Sequence, residues 1–312
     1  MPTLSQFLIG FLQAILLIAA APLFTGFLRA MRAKMHTRRG PSVLQDYRDI
    51  IKLLQRQNMY PPAAGFAFRA MPVVMVTTLI TIAMALPILT RATPIDGLGD
   101  MITVIYLFAV VRFFFALSGL DSGSSFAGIG ASRELTLGVL VEPTLVLSLL
   151  VAALLAGTTD IGGIGTAIAT GQVKSAGAAV LAGVAFAFAA YFELGKLPYD
   201  MAEAEQELQE GPLTEYSGPS LALLKIAMGL KQLLILAFFF AAFLPFGSAP
   251  GIGPMALAVA LVVFIVKVCV VAVLLGVVEN SVARARFRLT PRHSWSGLGI
   301  ASLGFVFYLV GL

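Results

Sequence analysis

Unbroken apolar stretches of about 20 residues, each long enough to cross roughly 30 Å of hydrocarbon, recur about eight times along this chain. They lie near residues 4–28, 71–90, 99–120, 132–156, 175–197, 220–245, 255–277 and 294–311. The apolar residues run on instead of alternating at every second position, so the spans read as helices and a porin-like barrel does not fit. Composition agrees. Of 312 residues, 59% are apolar and 12% charged, about half the roughly 25% of charged residues in soluble domains. The mean hydropathy is +0.93. The expectation is an all-α integral membrane protein of about eight transmembrane helices, with residues 1–312 forming a single multi-span membrane domain. Intrinsic disorder is excluded, and so is a disulfide scaffold, because Cys269 is the only cysteine and sits in an apolar segment.

The net charge of +5 would suggest nucleic acid in a soluble chain, but here the position of the charges matters more than their sum. The connection after the first span holds Arg29, Arg32, Lys34, Arg38, Arg39, Arg48, Lys52, Arg56 and Arg69, and the last one holds Arg284, Arg286, Arg288 and Arg292. The alternate connections are nearly bare: Arg91 in one, Lys174 in another, none between Phe246 and Pro254. This asymmetry places the odd-numbered loops in the cytoplasm and both termini outside, on the periplasmic side of the cell inner membrane. Met1 to Ala21 contains no Lys or Arg, so the positive n-region of a signal peptide is missing and the first segment is expected to stay in the mature protein.

Two cytoplasmic loops have structure of their own. In the first, Val43, Leu44, Tyr47, Ile50, Ile51 and Leu54 recur at helical spacing, with Gln45, Asp46, Arg48, Asp49, Lys52 and Arg56 opposite and Ser42 as the expected N-cap. The segment is too short and too charged to span, so it reads as a short amphipathic surface helix. Its use is either to lie on lipid or to form a docking platform for a cytoplasmic subunit. The third cytoplasmic loop is acidic: Asp200, Glu203, Glu205, Glu207, Glu210 and Glu215. Four of these, Asp200, Glu203, Glu207 and Glu210, share one face of a helix expected to open at Pro198 and close at Gly211-Pro212. An anionic lipid surface would repel such a cluster, which favours contact with a basic partner surface or proton handling.

Ionisable groups also lie within the spans: Arg112, Glu134, Glu142, Glu193, Lys196, Lys225, Lys231, Lys267 and Glu279. Such groups are costly in hydrocarbon and face a protein interior or a water-filled cavity. Lys196 and Lys225 are placed to snorkel. Glu142 precedes Pro143, whose ring frees a carbonyl one turn back, and Glu193 and Lys196 are spaced to pair. The set reads either as fixed ion pairs orienting helices or as a polar path that relays protons. No catalytic constellation appears. His36 and His293 have no metal-ligand neighbours, and neither Gly162-Gly163-Ile164-Gly165 nor Gly128-Ile129-Gly130 follows a strand, so neither reads as a dinucleotide site.

Several motifs resemble a known family. Arg38-Arg39-Gly40-Pro41 followed by Leu44-Gln45 and Lys52-Leu53, then Arg133 with Glu142, then Glu193-Leu-Gly-Lys196-Leu-Pro198-Tyr199-Asp200 running to Glu215-Tyr216-Ser217-Gly218, look like the NuoH-type membrane subunit family of complex I. Gly130-Ala-Ser-Arg133-Glu134, Glu205-Gln-Glu207-Leu-Gln-Glu210-Gly211-Pro212 and Glu279-Asn280-Ser281 resemble its hydrogenase branch, hydrogenase-4 component C and formate hydrogenlyase subunit 4. The resemblance implies a non-catalytic membrane anchor and coupling subunit of a group 4 [NiFe]-hydrogenase complex. Its partners would be the [NiFe]-hydrogenase large and small subunits, an Fe–S protein and antiporter-like membrane subunits. Those partners would carry the Fe–S clusters and [NiFe], and this chain would bind no metal or cofactor.

The proton-coupling set expected here is Glu142, Glu193, Lys196, Glu203, Glu207, Arg112, Arg133, Glu134, Lys225, Lys231 and Lys267. The docking set is Arg38, Arg39, Gly40, Pro41, Asp200, Glu205, Glu210 and Glu215. Two departures from the complex I branch stand out. Leu28-Arg29 replaces a Glu-Arg pair, and Met228 or Lys231 stands where the sixth span of that branch has a glutamate. Both speak against quinone as a necessary ligand. A quinone-site subunit of an NADH:quinone oxidoreductase-like complex and a stand-alone cation/proton antiporter remain the alternatives.

Overall fold

The computed structural model describes residues 4–95, 97–201 and 205–311, with Glu205 and Gln206 described by their backbone alone. Among these residues there are eleven α-helices and no strand. They are α1 (Leu4–Met35), α2 (Gln45–Leu54), α3 (Phe66–Ala85), α4 (Met101–Asp121), α5 (Ser125–Ala156), α6 (Ile161–Ala169), α7 (Ala176–Glu193), α8 (Glu205–Leu208), α9 (Gly218–Phe243), α10 (Pro254–Ser281) and α11 (Thr290–Val310). Eight of them, all but α2, α6 and α8, are long and apolar enough to cross a membrane.

Their ends depart from the apolar stretches where local chemistry outweighs hydropathy. α1 runs on to Met35 because Arg29-Ala30-Met31-Arg32-Ala33-Lys34 consists of strong helix formers. α3 stops at Ala85, two residues before Pro87, which has no N–H to continue the ladder. α5 begins at Ser125, a full two turns before the apolar stretch, and so takes in Arg133 and Glu134. The Gly-rich connection before α7, one of those nearly bare of Lys and Arg, holds α6. Asp160 caps it, accepting from the Gly163 amide at 2.7 Å. A Cβ at Gly165 would stand 2.4 Å from the Ala241 carbonyl of α9, so this glycine is there for close packing.

α9 is the axis. Its most apolar stretch is 72% buried, against 17% for α10, and α1, α2, α3, α6 and α7 all pack on it. α10 leans chiefly on α1, touches α9 through Phe264 against Phe240, and leaves Val259, Val262, Val266 and Val270 exposed. Lipid tails are as apolar as leucine, so contacts between spans rest on close packing and interhelical hydrogen bonds. Small residues provide the packing between α7 and α11, where Gly304 sits against Ala178 and Ala182.

Two polar side chains repair breaks that prolines make in α3. The Ala83 carbonyl would bond the residue-87 amide, which Pro87 lacks. Gln13 of α1, buried, donates instead, at 2.6 Å to Ala83 O and 2.9 Å to Leu86 O, and its own Oε1 accepts from the Leu89 amide at 3.3 Å. The Phe68 carbonyl faces the same loss at Pro72. Tyr216 donates its hydroxyl to it at 2.7 Å and stacks on the Phe68 ring at 4.0 Å. Burial pushes the Tyr216 phenol above its ordinary range, so it stays a donor. Asp121 at the end of α4 caps the start of α3 through the Phe68 amide at 2.9 Å.

Three local expectations are corrected. Ser42 does not cap α2; Leu44 stands at the N-cap with no side-chain bond, and the Ser42 carbonyl accepts from the Gln45 amide at 2.9 Å. Asp46, expected on the polar face, is buried against α1, where Arg29 and the Thr25 hydroxyl (2.6 Å) bind it; Ile51 and Leu54 of the expected apolar face are exposed. The helix expected to open at Pro198 is absent over 198–201, where the chain turns. Tertiary contacts hold these residues out of a helix: the Pro198 carbonyl accepts from Ala285 N at 3.0 Å, and Tyr199 and Met201 are buried beside Leu137 and Val141.

Replacing Gln13 by Leu leaves the Ala83 and Leu86 carbonyls bare, and is expected to destabilise the detergent-solubilised chain by about 1–2 kcal/mol. A thermal melt at the wild-type midpoint would show that these bonds contribute nothing.

Candidate functional site

The spacing of α5 generates the site. Glu134, Gly138 and Glu142 recur every fourth residue and so line one helix face. Gly138, between the two carboxylates, has no side chain, and Arg112 of α4 lies across the gap. A Cβ at position 138 would stand 2.6 Å from Arg112 Nη1 and 2.7 Å from its Cδ. From that seat the guanidinium reaches three carboxylates. Nη1 binds Glu142, Nη2 binds Glu193 at the end of α7, and Nε lies 3.8 Å from Glu134. Lys231 of α9 completes the cluster, with Nζ 3.6 Å from Glu134 and 3.7 Å from Glu193.

Four spans therefore meet at five charges. The Arg112 and Glu193 side chains are 8% and 9% exposed, while Glu142 is 39% exposed. Three carboxylates face two cations, leaving one negative charge in excess when all are ionised. Glu134 and Glu193 each touch both cations; Glu142 is held by Arg112 alone. Two cavities flank Arg112. One, of about 40 Å³, is lined by Glu134, Glu193, Lys231, Tyr199, Asp200 and Met228 among others, and has space for roughly three waters. The second, also about 40 Å³, is lined by Glu142, Phe108, Phe186 and Phe238.

Above the first cavity, the acidic segment is tied down by basic residues distant in sequence. Arg133 donates to Glu207 at 2.8 Å and its guanidinium lies 5.7 Å from the Phe287 ring. Arg284 binds Asp200 at 3.0 Å. The Arg133 hydrogen bond holds the Glu207 carboxyl below the usual carboxylate range. Arg133 and Glu134 are sequence neighbours, yet one reaches the acidic segment and the other the buried cluster.

The acidic segment is also stitched to the first loop. Ser217 Oγ accepts from Met59 N at 2.8 Å and lies 3.2 Å from Met59 O, while Asn58 Oδ1 accepts from Ser220 N at 3.0 Å. Gly218, at φ +53°, lies where a Cβ would meet the Gln57 carbonyl at 2.5 Å.

The remaining sequence candidates fall elsewhere. Glu193 pairs with Arg112 and Lys231 and not with Lys196, because the helix ends at Glu193 and the chain turns through Gly195 at φ +61°. Lys196 is half-buried and Lys225 exposed, and neither forms an ion pair among the described residues. Lys267 lies outside the cluster, donating to the Leu244 carbonyl at 2.5 Å. Glu279 is buried near Tyr191. Arg38, Arg39, Gly40, Pro41 and Glu210 are exposed, and Glu215 is half-buried. Glu203 lies outside the described residues, as does the Glu205 side chain. Sequence reasoning missed Gly138, whose signal was its place midway between two glutamates on one helix face. It also missed Gln232, which donates to the Leu194 carbonyl at 3.2 Å and ties α9 to the end of α7.

The NADH dehydrogenase family model matches residues 8–310, nearly the whole chain. The chain belongs to this family. It is 54% identical to hydrogenase-4 component C of Escherichia coli, over 96% of this chain and 95% of that protein. It is 52% identical to formate hydrogenlyase subunit 4 of the same organism, over 95% of this chain and 96% of the relative. A more distant member, NADH-quinone oxidoreductase subunit 8 of Rhodothermus marinus, is 29% identical over 76% of this chain and 70% of its own length. A chain of the solved membrane-bound sulfane sulfur reductase (MBS), an archaeal respiratory membrane complex, shares the fold with a TM-score of 0.81 at 23% identity, covering 96% of this chain and 99% of that one. The family member described here is a multi-pass inner-membrane protein.

Gly138→Ala is expected to push Arg112 from its seat and destabilise the chain by about 1–3 kcal/mol, and Arg112→Met by about 3–5 kcal/mol, since it strands buried carboxylates. Unfolding in one detergent measures both; wild-type stability in Gly138→Ala would refute this seating of the guanidinium.

Because the Arg133 bond favours the ionised Glu207, the tie has a defined pH window. It is fully formed above the ordinary glutamate value of about 4.3 and is released only as pH falls through the lower folded value. Protection against hydrogen exchange over residues 207–215, taken relative to the intrinsic rate at each pH, is expected to stay constant from pH 7 to about 5 and to be lower throughout in Glu207→Gln; a loss of protection near pH 6 would contradict the tie.

Proposed function

We propose that this chain is the membrane anchor and coupling subunit of a group 4 [NiFe]-hydrogenase complex of the formate hydrogenlyase or hydrogenase-4 kind. It seats a peripheral Fe–S and [NiFe] arm and links its redox chemistry to proton translocation. The single observation that carries the reading is the five-charge cluster on four spans, directly beneath an acidic segment that is ion-paired to the same α5 helix. Membership of the family, and the two relatives above half identity named as hydrogenase-4 and formate hydrogenlyase subunits, supports the choice of complex.

In this reading the basic loops face the cytoplasm and both termini the periplasm, by the bias of Lys and Arg. The exposed Ile51 and Leu54 of α2 rest at the membrane surface. Arg38, Arg39, Gly40 and Pro41, with Asp200, Glu205, Glu210 and Glu215, form the docking surface for the hydrogenase large and small subunits and an Fe–S protein. Antiporter-like subunits sit beside it in the membrane. The metal centres belong to those partners. A cavity with space for a few waters fits a proton path better than the seat of a quinone.

The coupling runs through α5. A charge change in the docked arm shifts the acidic segment, loads the Arg133–Glu207 pair and moves Glu134 against Arg112 and Lys231. Arg112 then leans towards Glu134 and Glu193, loosening its hold on Glu142. The Glu142 carboxylate takes up a proton from water, cancelling the excess negative charge, and returns it when Arg112 swings back. Glu203 belongs to the same relay by its place in the acidic segment, and Lys196, Lys225 and Lys267 supply fixed positive charge around it.

Glu142→Gln and Glu193→Gln are expected to lower proton translocation by the assembled complex severalfold while hydrogenase subunits still co-purify. Equal loss of translocation and assembly would make these carboxylates structural and end the proposal. Arg38→Ala with Arg39→Ala is expected to act in the opposite order, with co-purification of the hydrogenase arm falling first.

A further inference from the structure

On the face opposite the basic loops, a cavity of about 20 Å³ opens between the ends of α3 and α9 and the side of α10. Two cations line it, Arg91 and Lys267, together with Thr90, Ser248 and the Phe240 and Phe264 rings, and no carboxylate among the described residues does. The backbone fixes Arg91 there. Its amide donates to the Ala249 carbonyl at 2.8 Å, and the Ala249 amide donates to Leu89 O at 2.9 Å, a pair of bonds that staples the end of α3 to the 244–253 connection. The guanidinium, by contrast, has no ion pair among the described residues, and its Nε is buried without a hydrogen-bond partner. Lys267 donates one hydrogen bond to the Leu244 carbonyl at the end of α9, 2.5 Å away. An ammonium has three donors, so capacity remains.

Two cations facing one cavity lack a counter-charge among the described residues, and a buried donor without an acceptor is costly. The cavity lies where α3 and α9 end, the level at which headgroups would meet these two spans. From Lys267 towards Ser281, the side of α10 that leads away from this end leaves Val270, Val273, Leu274 and Val277 exposed. We propose that Arg91 and Lys267 bind the phosphate of an anionic phospholipid, whose acyl chains run down α10. The phosphate oxygens complete the Arg91 fork and the free Lys267 donors, and the lipid covers the least buried span. A free phosphate ion would meet the same donors, but would leave the flank of α10 without a specific occupant.

The test uses the purified full chain and native mass spectrometry with equimolar phosphatidylglycerol and phosphatidylcholine of matched acyl chains. The wild type is expected to retain phosphatidylglycerol about tenfold better, as charge-assisted hydrogen bonds to phosphate would give. Arg91→Gln combined with Lys267→Met should bring the two lipids to parity, while Lys174→Gln, an exposed lysine on the same face, should keep the preference. Should the double variant fail to fold, Arg91→Gln alone carries the test, since it leaves the Lys267–Leu244 bond in place; it should lose most of the preference. An unchanged preference in these variants overturns the site. Displacement of phosphatidylglycerol by a large excess of inorganic phosphate overturns the lipid assignment in favour of a soluble anion.

Discussion

A guanidinium in the interior of a membrane protein has no stable isolated state, and the position of Arg112 decides how four spans are turned. Its planar fork reaches carboxylates on two different helices while its Nε approaches a third. Each partner is thereby fixed in azimuth as well as in depth. Lys231 closes the arrangement from the central helix. Removing either sign strands the other in a medium that solvates neither. The excess of one carboxylate keeps the cluster from being a finished salt bridge, and the charge left over is the property on which a coupling role rests.

The backbone obeys the same accounting. A carbonyl released by proline has no water to turn to within a bilayer, and at Pro87 and Pro72 the structure supplies a glutamine and a tyrosine from distant parts of the chain. Both donors also join elements that the sequence separates widely: Gln13 ties α1 to α3, and Tyr216 ties the acidic segment to α3. Polar residues in this protein serve as joints between helices as much as they serve chemistry.

Much of this could be read from the residues alone. Apolar length marked the eight spans, and the rarity of charge inside them marked nine ionisable groups, of which Arg112, Glu134, Glu142, Glu193 and Lys231 form the cluster while Lys196, Lys225, Lys267 and Glu279 lie elsewhere. Pairing was less legible, because it depends on which helices become neighbours. Glu193 and Lys196 are well spaced for an ion pair on a helix that continues, but α7 ends at Glu193. Lys231 read as a departure from a relative's glutamate, and its contact with two glutamates emerged only with α9 at the centre. Asp46 looked solvated by its position in a local pattern, yet Arg29 of α1 draws it inward. The segment after Pro198 has helical spacing of its carboxylates, but burial of Tyr199 and Met201 and the Arg284–Asp200 pair outweigh local preference.

The seam formed by Ser217 with Met59, and by Asn58 with Ser220, joins segments about 160 residues apart by three hydrogen bonds. A displacement of the first loop would thus carry the end of the acidic segment with it. Tyr216, next in the chain to Ser217, holds the Phe68 carbonyl of α3, so the same seam runs on from the surface loops to the proline turn of a span.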